Sequence, residues 1–552
     1  MPSTGTRRRS RNEASAFAQA IRYQRHLVAS LLPKSSPKPP PVVASKDPVA
    51  LQRWHWLALA GVTVLAAWLR LACVGDWSLW IDEAHTWRDA TMPFADFLDS
   101  DRKYYPLTFL LARALLALGW ISQEASSLRL PFVWLGIVTV PLMGLCGRRL
   151  VGTTAAVVAA LLLAIDPWHV YWSQNARGYV VVVLAAVVAT DLALAYLQQN
   201  RLRDLVLLWG AIGVGTLSHP TGVLFAFGFL AFLAVRHREL NWRTASTVAV
   251  VAIVILTLTP WLVRNFTPFE GFVRSKSTPS LLHFLQTTGY YFRPIVLVMA
   301  VVGLGLLRHV GGRDRAFLLG WLVAVPLLVL SVIGATEVQV TARYAICILP
   351  IVTWLCAFAA MRVGRAVLAA PTATRWARVA MAAVLPLLVG GDHGLGLVGY
   401  YSAQHGQRAR WNEASAFLLA EAAGRPVRVS SVNHPTMLYY LRPGAWTNEV
   451  PPTFAANRVV PLIDWMVAQG MDENKVVVHE PGGRNHVAWH RREARATSSL
   501  FAFVVTKPEL AEQDPEGHLR AAIAGECRLA LHLPCWVGPK DDSIYVYVLK
   551  EP

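Results

Sequence analysis

Runs of about twenty apolar residues recur along this chain, and they constrain its fold more than any other feature. A bilayer core about 30 Å thick is crossed by about 20 helical residues. Runs suited to that task lie at 54–74, 128–146, 151–167, 179–197, 205–218, 222–235, 247–262, 295–307, 317–332, 344–361 and 379–398. Only 16% of the residues are charged, against roughly 25% in soluble proteins. The net charge of +18 sits in short Lys/Arg clusters between the apolar runs, as orientation signals do. Membrane lipids are therefore the expected surroundings, and nucleic acid is not an expected partner.

One further apolar block, 106–121, is settled by charge. With the N-terminal tail cytoplasmic and this block not crossing, several basic clusters fall inside: Arg148/Arg149, Arg201/Arg203, Arg236/Arg238/Arg243, Arg308/Arg313/Arg315 and Arg362/Arg365/Arg375/Arg378. Letting it cross would put nearly all of them outside, against the positive-inside rule. The block therefore reads as an interfacial helix, which Arg113 at its middle also favours. The outer face then receives 75–127, 168–178, 264–293, 334–343, the Ser218-His219-Pro220 turn and everything after Tyr400.

Residues 1–53 read as a cytoplasmic basic tail and Pro-rich linker rather than a cleaved signal peptide, residues 54–400 as a transmembrane domain, and residues 401–552 as an extracytoplasmic domain. That last region has soluble composition, a helical pattern over 412–423 and strand patterns at 427–431, 475–479, 500–506 and 543–549. Asn412–Phe417 repeats the sequence of Asn12–Phe17; two similar helix starts with an Asn cap account for it. Cys73, Cys146, Cys347 and Cys356 read as packing residues, and Cys527 and Cys535 equally as one disulfide or two free thiols. The expected fold class is a polytopic α-helical membrane protein of about 11 spanning helices plus interfacial helices, with a small C-terminal extracytoplasmic α/β domain.

Two outer segments carry groups suited to chemistry. In Trp80-Ile81-Asp82-Glu83-Ala84-His85-Thr86-Trp87, a carboxylate at the membrane surface is partly desolvated, so its pKa can rise and it can act as a base. A solvated acidic pair is an equally good local reading. The second segment is Trp168-His169-Val170-Tyr171-Trp172-Ser173-Gln174-Asn175-Ala176-Arg177-Gly178-Tyr179. Its aromatics fit an interfacial belt, whereas Ser, Gln, Asn and Arg in so short a turn suit sugar hydroxyls or a phosphate.

Together these stretches resemble the GT-C class of glycosyltransferases that use polyprenyl-phosphate sugars. The resemblance is closest to bacterial relatives of protein mannosyltransferases, which include aminoarabinose and galacturonic acid transferases of lipid A and lipopolysaccharide core. It rests on Asp82-Glu83, Tyr105-Pro106-Leu107, Leu128-Arg129-Leu130-Pro131, Ser173–Tyr179, Ser218-His219-Pro220 and Ala342-Arg343-Tyr344 with Pro350, in family order over 54–350. The resemblance implies transfer of a sugar from a polyprenyl-phosphate donor to a hydroxyl of a glycolipid, polysaccharide or protein. The reaction would occur at the outer face of a bacterial cytoplasmic (inner) membrane, with inversion at the anomeric carbon. Asp82 is then the expected general base, and Glu83 its support or a contact to the acceptor. Arg343, His219, Lys103, Arg264 and Arg102 are candidates for neutralising the departing lipid phosphate. Arg264 and Arg102 read equally well as snorkelling interfacial side chains. Gln174, Asn175, Arg177, Tyr179, Tyr105 and Tyr344 are candidates for holding sugar or acceptor.

Two departures from the family pattern matter. Tyr104-Tyr105-Pro106 stands where His-Pro or Lys-Pro is common, with Lys103 as a substitute cation. Asn175 stands where the family often has a carboxylate, so no metal or other cofactor is expected.

A lipid-linked glycan flippase or transporter would have similar hydropathy, but Asp191 is the main ionisable residue inside a predicted span and no inverted repeat is visible. An O-antigen ligase or polymerase would place its essential Arg and His in a large late outer loop; the acidic pair after the first span speaks against it. The orientation is testable with reporter fusions. A fusion within 147–151 should report a cytoplasmic position and one after Tyr400 an outside position; an outside signal at the first site overturns the assignment.

Overall fold

The computed structural model describes residues 51–99, 101–236, 280–310, 312–335, 340–370, 374–425, 427–431, 434–441 and most of 498–550, with a few short pieces besides. The tail before residue 51, the predicted span 247–262, Arg264 and the predicted strand 475–479 lie outside the described residues. The chain divides into two units, Met1–Pro48, outside the described residues, and Val49–Pro552, which is compact.

Helix α1 (Arg53–Leu71) leads into a short turn and then α2 (Ile81–Thr91). Next come α3 (Phe94–Asp99), a 3-10 turn at Asp101–Tyr104 and α4 (Leu107–Ala117). Helix α4 has 11 residues, a rise of about 16 Å, which cannot cross a bilayer core about twice as thick. Gly119, at φ +68°, lets the chain turn back after α4, its N–H donating to the Leu116 carbonyl.

The bundle continues through α5 (Ala125–Val151), α6 (Thr153–Ala164), α7 (Pro167–Ser173), α8 (Tyr179–Gln199), α9 (Leu202–Ser218) and α10 (Val223–Arg236). Beyond the undescribed stretch follow α11 (Ser280–Phe292), α12 (Pro294–His309), α13 (Arg313–Ala335), a 3-10 segment Ala342–Ile348, α14 (Leu349–Ala369) and α15 (Arg375–Val398). Side chains such as Leu57, Val64, Trp68, Val301, Leu328 and Leu395 are exposed on this bundle. Large exposed apolar surface fits a lipid surround rather than water.

Six helices among the described residues are long and apolar enough to cross a membrane, and up to eight if two bent pairs each count as one span. The first pair bends by 64° where α6 gives way to α7 at Asp166-Pro167, and the second by 84° between α11 and α12. The expected number was about eleven. Part of the difference lies in α9 and α10, of 17 and 14 residues. Helix α9, and α10 as far as the described residues reach, are shorter than the six and meet at the Ser218-His219-Pro220 turn.

Helix ends sort chemically. Arg148/Arg149, Arg201/Arg203, Arg308, Arg313/Arg315, Arg362/Arg365 and Arg375/Arg378 lie at or near helix ends opposite those that carry Tyr179, His219 and Arg343. Arg315 ties this basic end together by donating to the carbonyls of Arg149 and Leu150 at 3.1 and 3.2 Å.

After a π-helical turn at Gly399–Ala403 the chain enters a mixed α/β region. Its helices are α16 (Trp411–Ala422), α17 (His434–Leu441) and α18 (His518–Glu526). Its five-stranded sheet has β1 (Val427–Ser430), β2 (Val459–Val460), β3 (Leu500–Thr506), β4 (Cys527–Leu533) and β7 (Ile544–Leu549), in the order β2-β1-β3-β7-β4. Strand β1 runs parallel to β2 and β3, and β7 antiparallel to β3 and β4. A separate ribbon pairs β5 (Trp536–Val537) with β6 (Lys540–Asp541). Cys527 and Cys535 are free thiols.

Close helix approach holds the bundle together where there is no water to drive packing. Gly303 of α12 lies against the Leu355 carbonyl of α14, and an added Cβ would collide with that backbone. Gly303→Val should therefore destabilise the protein by about 1–3 kcal/mol, read as a lower unfolding midpoint in detergent. Gly305→Val, at a position with open space around it, should change little.

Candidate functional site

The acidic pair opens α2, with Asp82 and Glu83 both in its first turn, where the helix dipole favours negative charge. One residue apart on a helix, the two carboxylates point in different directions and meet different surroundings.

Glu83 is fully buried. Its Oε1 accepts from Arg129 Nε at 2.7 Å and the Ala176 backbone N–H at 3.0 Å. Its Oε2 accepts from Arg129 Nη2 at 2.8 Å, Arg408 Nε at 3.2 Å and the Trp80 N–H at 3.1 Å. Burial pushes the Glu83 carboxyl up, but Arg129, Arg408 and these hydrogen bonds prevail and bring it down to about 2. Both oxygens are engaged by the protein, so Glu83 faces no open space where an acceptor could lie.

The two arginines are equally committed. Arg129 also donates to the carbonyls of Val74, Trp77 and Ser78 at 2.7 to 2.9 Å. Arg408 donates to the carbonyls of Gln174 at 2.6 Å and Gly406 at 2.8 Å, and its guanidinium lies over the Tyr171 ring at 4.8 Å. Gly406, at φ +62°, sits against the Trp77 ring where a Cβ would collide. The neighbouring His405 ring accepts from the Ser78 N–H at 3.3 Å, and burial lowers its pKa to about 4, which keeps it neutral. Asn412 and Tyr440 of the C-terminal region bond to Ser78 and Leu79. The loop that leads into α2, and with it the first turn that carries Asp82, is thus held by α5, by the turn before α8 and by the C-terminal region.

Asp82 is instead a quarter exposed, with Oδ2 3.9 Å from Arg343 Nη1. Arg343 packs over the rings of Trp80 and Tyr344 at 5.4 and 5.2 Å and donates to the Tyr344 hydroxyl at 3.3 Å. Arg177 approaches the Asp82 carbonyl and the Thr86 hydroxyl, each at 3.5 Å, and lies over Phe109 at 5.7 Å. The Tyr179 ring packs on His219 at 4.1 Å and on Trp172 at 4.0 Å, and Tyr105 lies 6.3 Å from His219. Thr108 of α4 donates to the Ser218 carbonyl at 3.0 Å, and Gly178 lies against the same carbonyl. Asp82, Arg177, Tyr179, Tyr105, His219, Arg343 and Tyr344, drawn from five separate stretches of sequence, therefore come together. Such a site presents one open carboxylate beside several cations on an aromatic wall.

Other candidates fall elsewhere. Gln174 is buried; its amide donates to the carbonyls of Leu69, Arg70 and Ala72 and accepts from Trp77 and the Tyr400 hydroxyl. Asn175 is buried with neither amide atom hydrogen-bonded. Lys103 is exposed, 5.7 Å from the Tyr104 ring, and makes no described contact with the cluster. Arg264 and the Arg102 side chain lie outside the described residues. Among the described residues no three His, Cys, Asp or Glu side chains are grouped to hold a metal ion.

Sequence reasoning missed the roles of Arg129 and Arg408. A clue was present for the first, since an arginine at the start of an apolar helix needs a partner. Nothing local marks Arg408, whose partner is 325 residues away. Replacing Glu83 with Gln leaves two buried guanidiniums without their counter-charge. It should cost about 3–5 kcal/mol, measurable as unfolding free energy in detergent. The folded carboxyl lies below its ordinary value of 4.5. Its stabilisation is therefore full above pH 4.5 and lost as pH falls through about 2, and the variant should lack this acid-dependent component.

The family model for dolichyl-phosphate-mannose-protein mannosyltransferase matches residues 104–263. No curated protein sequence matches the chain significantly. Among solved structures, the oligosaccharyltransferase AglB from Archaeoglobus fulgidus, in complex with an inhibitory peptide and a dolichol-phosphate, is similar at TM-score 0.54 and 15% identity. The match covers 86% of this chain and 72% of that one. ArnT from Cupriavidus metallidurans is similar at TM-score 0.52 and 14% identity in its apo state, over 90% of this chain and 97% of that one. Its undecaprenyl phosphate complex matches at the same score and identity, over 90% and 98%. At these identities the likeness is one of fold.

Proposed function

We propose that the chain is a GT-C-type membrane glycosyltransferase, a reading supported by the family-model match and the shared fold, and that it transfers a sugar from a polyprenyl-phosphate donor to a hydroxyl of a cell-envelope acceptor. The acceptor is a glycolipid, polysaccharide or protein, and the reaction takes place at the outer face of a bacterial cytoplasmic membrane. The observation that carries this reading is the pairing of an open carboxylate, Asp82, with Arg343 at 3.9 Å inside an aromatic wall. Undecaprenyl phosphate bound to ArnT and dolichol-phosphate bound to AglB support a lipid phosphate as the donor's carrier.

The geometry supports the following roles. Asp82 accepts the proton of the acceptor hydroxyl as its oxygen attacks the anomeric carbon from the face opposite the phosphate. The bond from anomeric carbon to phosphate oxygen breaks, and the lipid phosphate leaves with the electron pair. Arg343, with His219 nearby, offsets the charge that develops on that oxygen. Arg177 and Tyr179 line the same space and suit sugar hydroxyls. Glu83 and Gln174 act by position, holding the loop and the turn from behind. The clustering of basic residues at the opposite helix ends supports the outer placement of the site.

A transporter needs ionisable groups in play within the membrane, whereas Asp191 lies 3.6 Å from Arg149, near the basic end of the bundle.

The decisive comparison is by mass spectrometry of envelope glycans in a deletion strain complemented with wild type or Asp82→Asn. Loss of a general base costs about 100-fold or more in rate, so the substituted protein, made and inserted normally, should fail to restore the missing sugar. Full restoration would rule out Asp82 as the base.

A further inference from the structure

The C-terminal region carries a cluster of cations far from Asp82. A cleft of about 360 Å³ is lined by Arg425, Arg491, Arg495 and Lys550 together with Ser498 and Ser499. Glu526 offsets one of these charges, through Arg491 at 2.8 Å. Lys550 is fixed by a hydrogen bond from Nζ to the Gly525 carbonyl at 2.8 Å, which leaves further donors on the ammonium. Arg425 is steered by donation to the Ala422 carbonyl at 3.3 Å.

The sheet register places this cleft. Arg425 precedes β1, Ser499 precedes β3 and Lys550 follows β7, and Val427 lies opposite Leu500 in the parallel pair. All three therefore sit at one end of the sheet. At the other end, Thr506 lies opposite Ile544, and beyond β4 Cys535 donates from Sγ to the Arg408 carbonyl at 3.1 Å. That end meets the Glu83 cluster. Strand β3 separates the two by seven residues, about 23 Å. A sugar phosphate bound beside Asp82 cannot span that distance, so the cleft does not serve the donor's phosphate.

We propose that this cleft is a second binding site, one that takes the acidic groups, carboxylate or phosphate, of a glycan chain extending away from the membrane. Guanidinium groups pair with either oxyanion through parallel N–H donors, and hydroxyls such as those of Ser498 and Ser499 suit sugar hydroxyls. A chain several sugars long reaches where a single donor sugar does not. Paired with the transfer site, the cleft would favour acidic polymers as acceptors. The binding itself does not depend on the transfer reaction.

The test uses the full chain in detergent and a fluorescent oligogalacturonate of about six sugars, a length matched to the 23 Å scale, with a neutral malto-oligosaccharide of equal length as comparison. Wild type should bind the acidic oligomer and not the neutral one, with inorganic phosphate competing and added salt weakening the complex. Arg495→Gln/Lys550→Gln should weaken binding about tenfold or more, equivalent to about 1.4 kcal/mol. Arg520→Gln/Arg528→Gln removes as much charge from the same region outside the cleft and should bind as wild type does. Unchanged melting temperatures establish that both variants are folded. Equal binding of acidic and neutral oligomers, undiminished binding by the cleft variant, or equal losses in both variants would each overturn the proposal. Full acidic-oligomer binding by Asp82→Asn keeps this inference separate from the fate of the transfer reading.

Discussion

Glu83, buried between Arg129 and Arg408, is the contact on which the rest of this structure depends. An ion pair removed from water must regain its lost hydration through geometry, and it does so only when every lone pair and donor finds a partner. Here the two carboxylate oxygens are shared among two guanidiniums and two backbone N–H groups. The arginines spend their remaining donors on carbonyls of the loop after α1, of the turn before α8 and of the C-terminal segment. Four parts of the chain are joined at one residue.

That joint explains why two adjacent carboxylates behave differently. Glu83 is locked, and Asp82, one step along the helix, is left partly open with Arg343 across from it. Rigid support behind a reactive group keeps it where the chemistry needs it. The remaining pieces of the wall are helix ends: the start of α8 brings Tyr179, the end of α9 brings His219 and the 3-10 segment before α14 brings Arg343. Helix ends are where a membrane protein can show polar groups without breaking hydrogen bonds inside the apolar core. The C-terminal region belongs to this arrangement in two ways. One end of its sheet meets the Glu83 cluster through Cys535 and Arg408, and the other carries the basic cleft.

Particular residues show what can be read before folding. The block 106–121 was assigned to a surface helix because the basic loops would otherwise lie on the wrong side, and α4 has only 11 residues. The strand patterns at 427–431, 500–506 and 543–549 correspond to β1, β3 and β7. Strand β4 escaped notice because it lies at the edge of the sheet and most of its residues are exposed or half-buried, which leaves no clean alternation of apolar and polar positions.

By itself the sequence determined that this is a many-helix membrane chain, which helix ends carry basic residues and which carry polar motifs, because apolar run length and charge placement are local properties. It also marked Asp82, His219 and Arg343, since polar groups bunched beside apolar runs stand out without a structure. Only the tertiary structure decided which carboxylate is open and which is locked. That choice depends on Arg129 and Arg408, 46 and 325 residues from Glu83, and no local pattern encodes a partnership over such separations. The same holds for the basic cleft, whose cations come from three stretches that meet only when the strands pair.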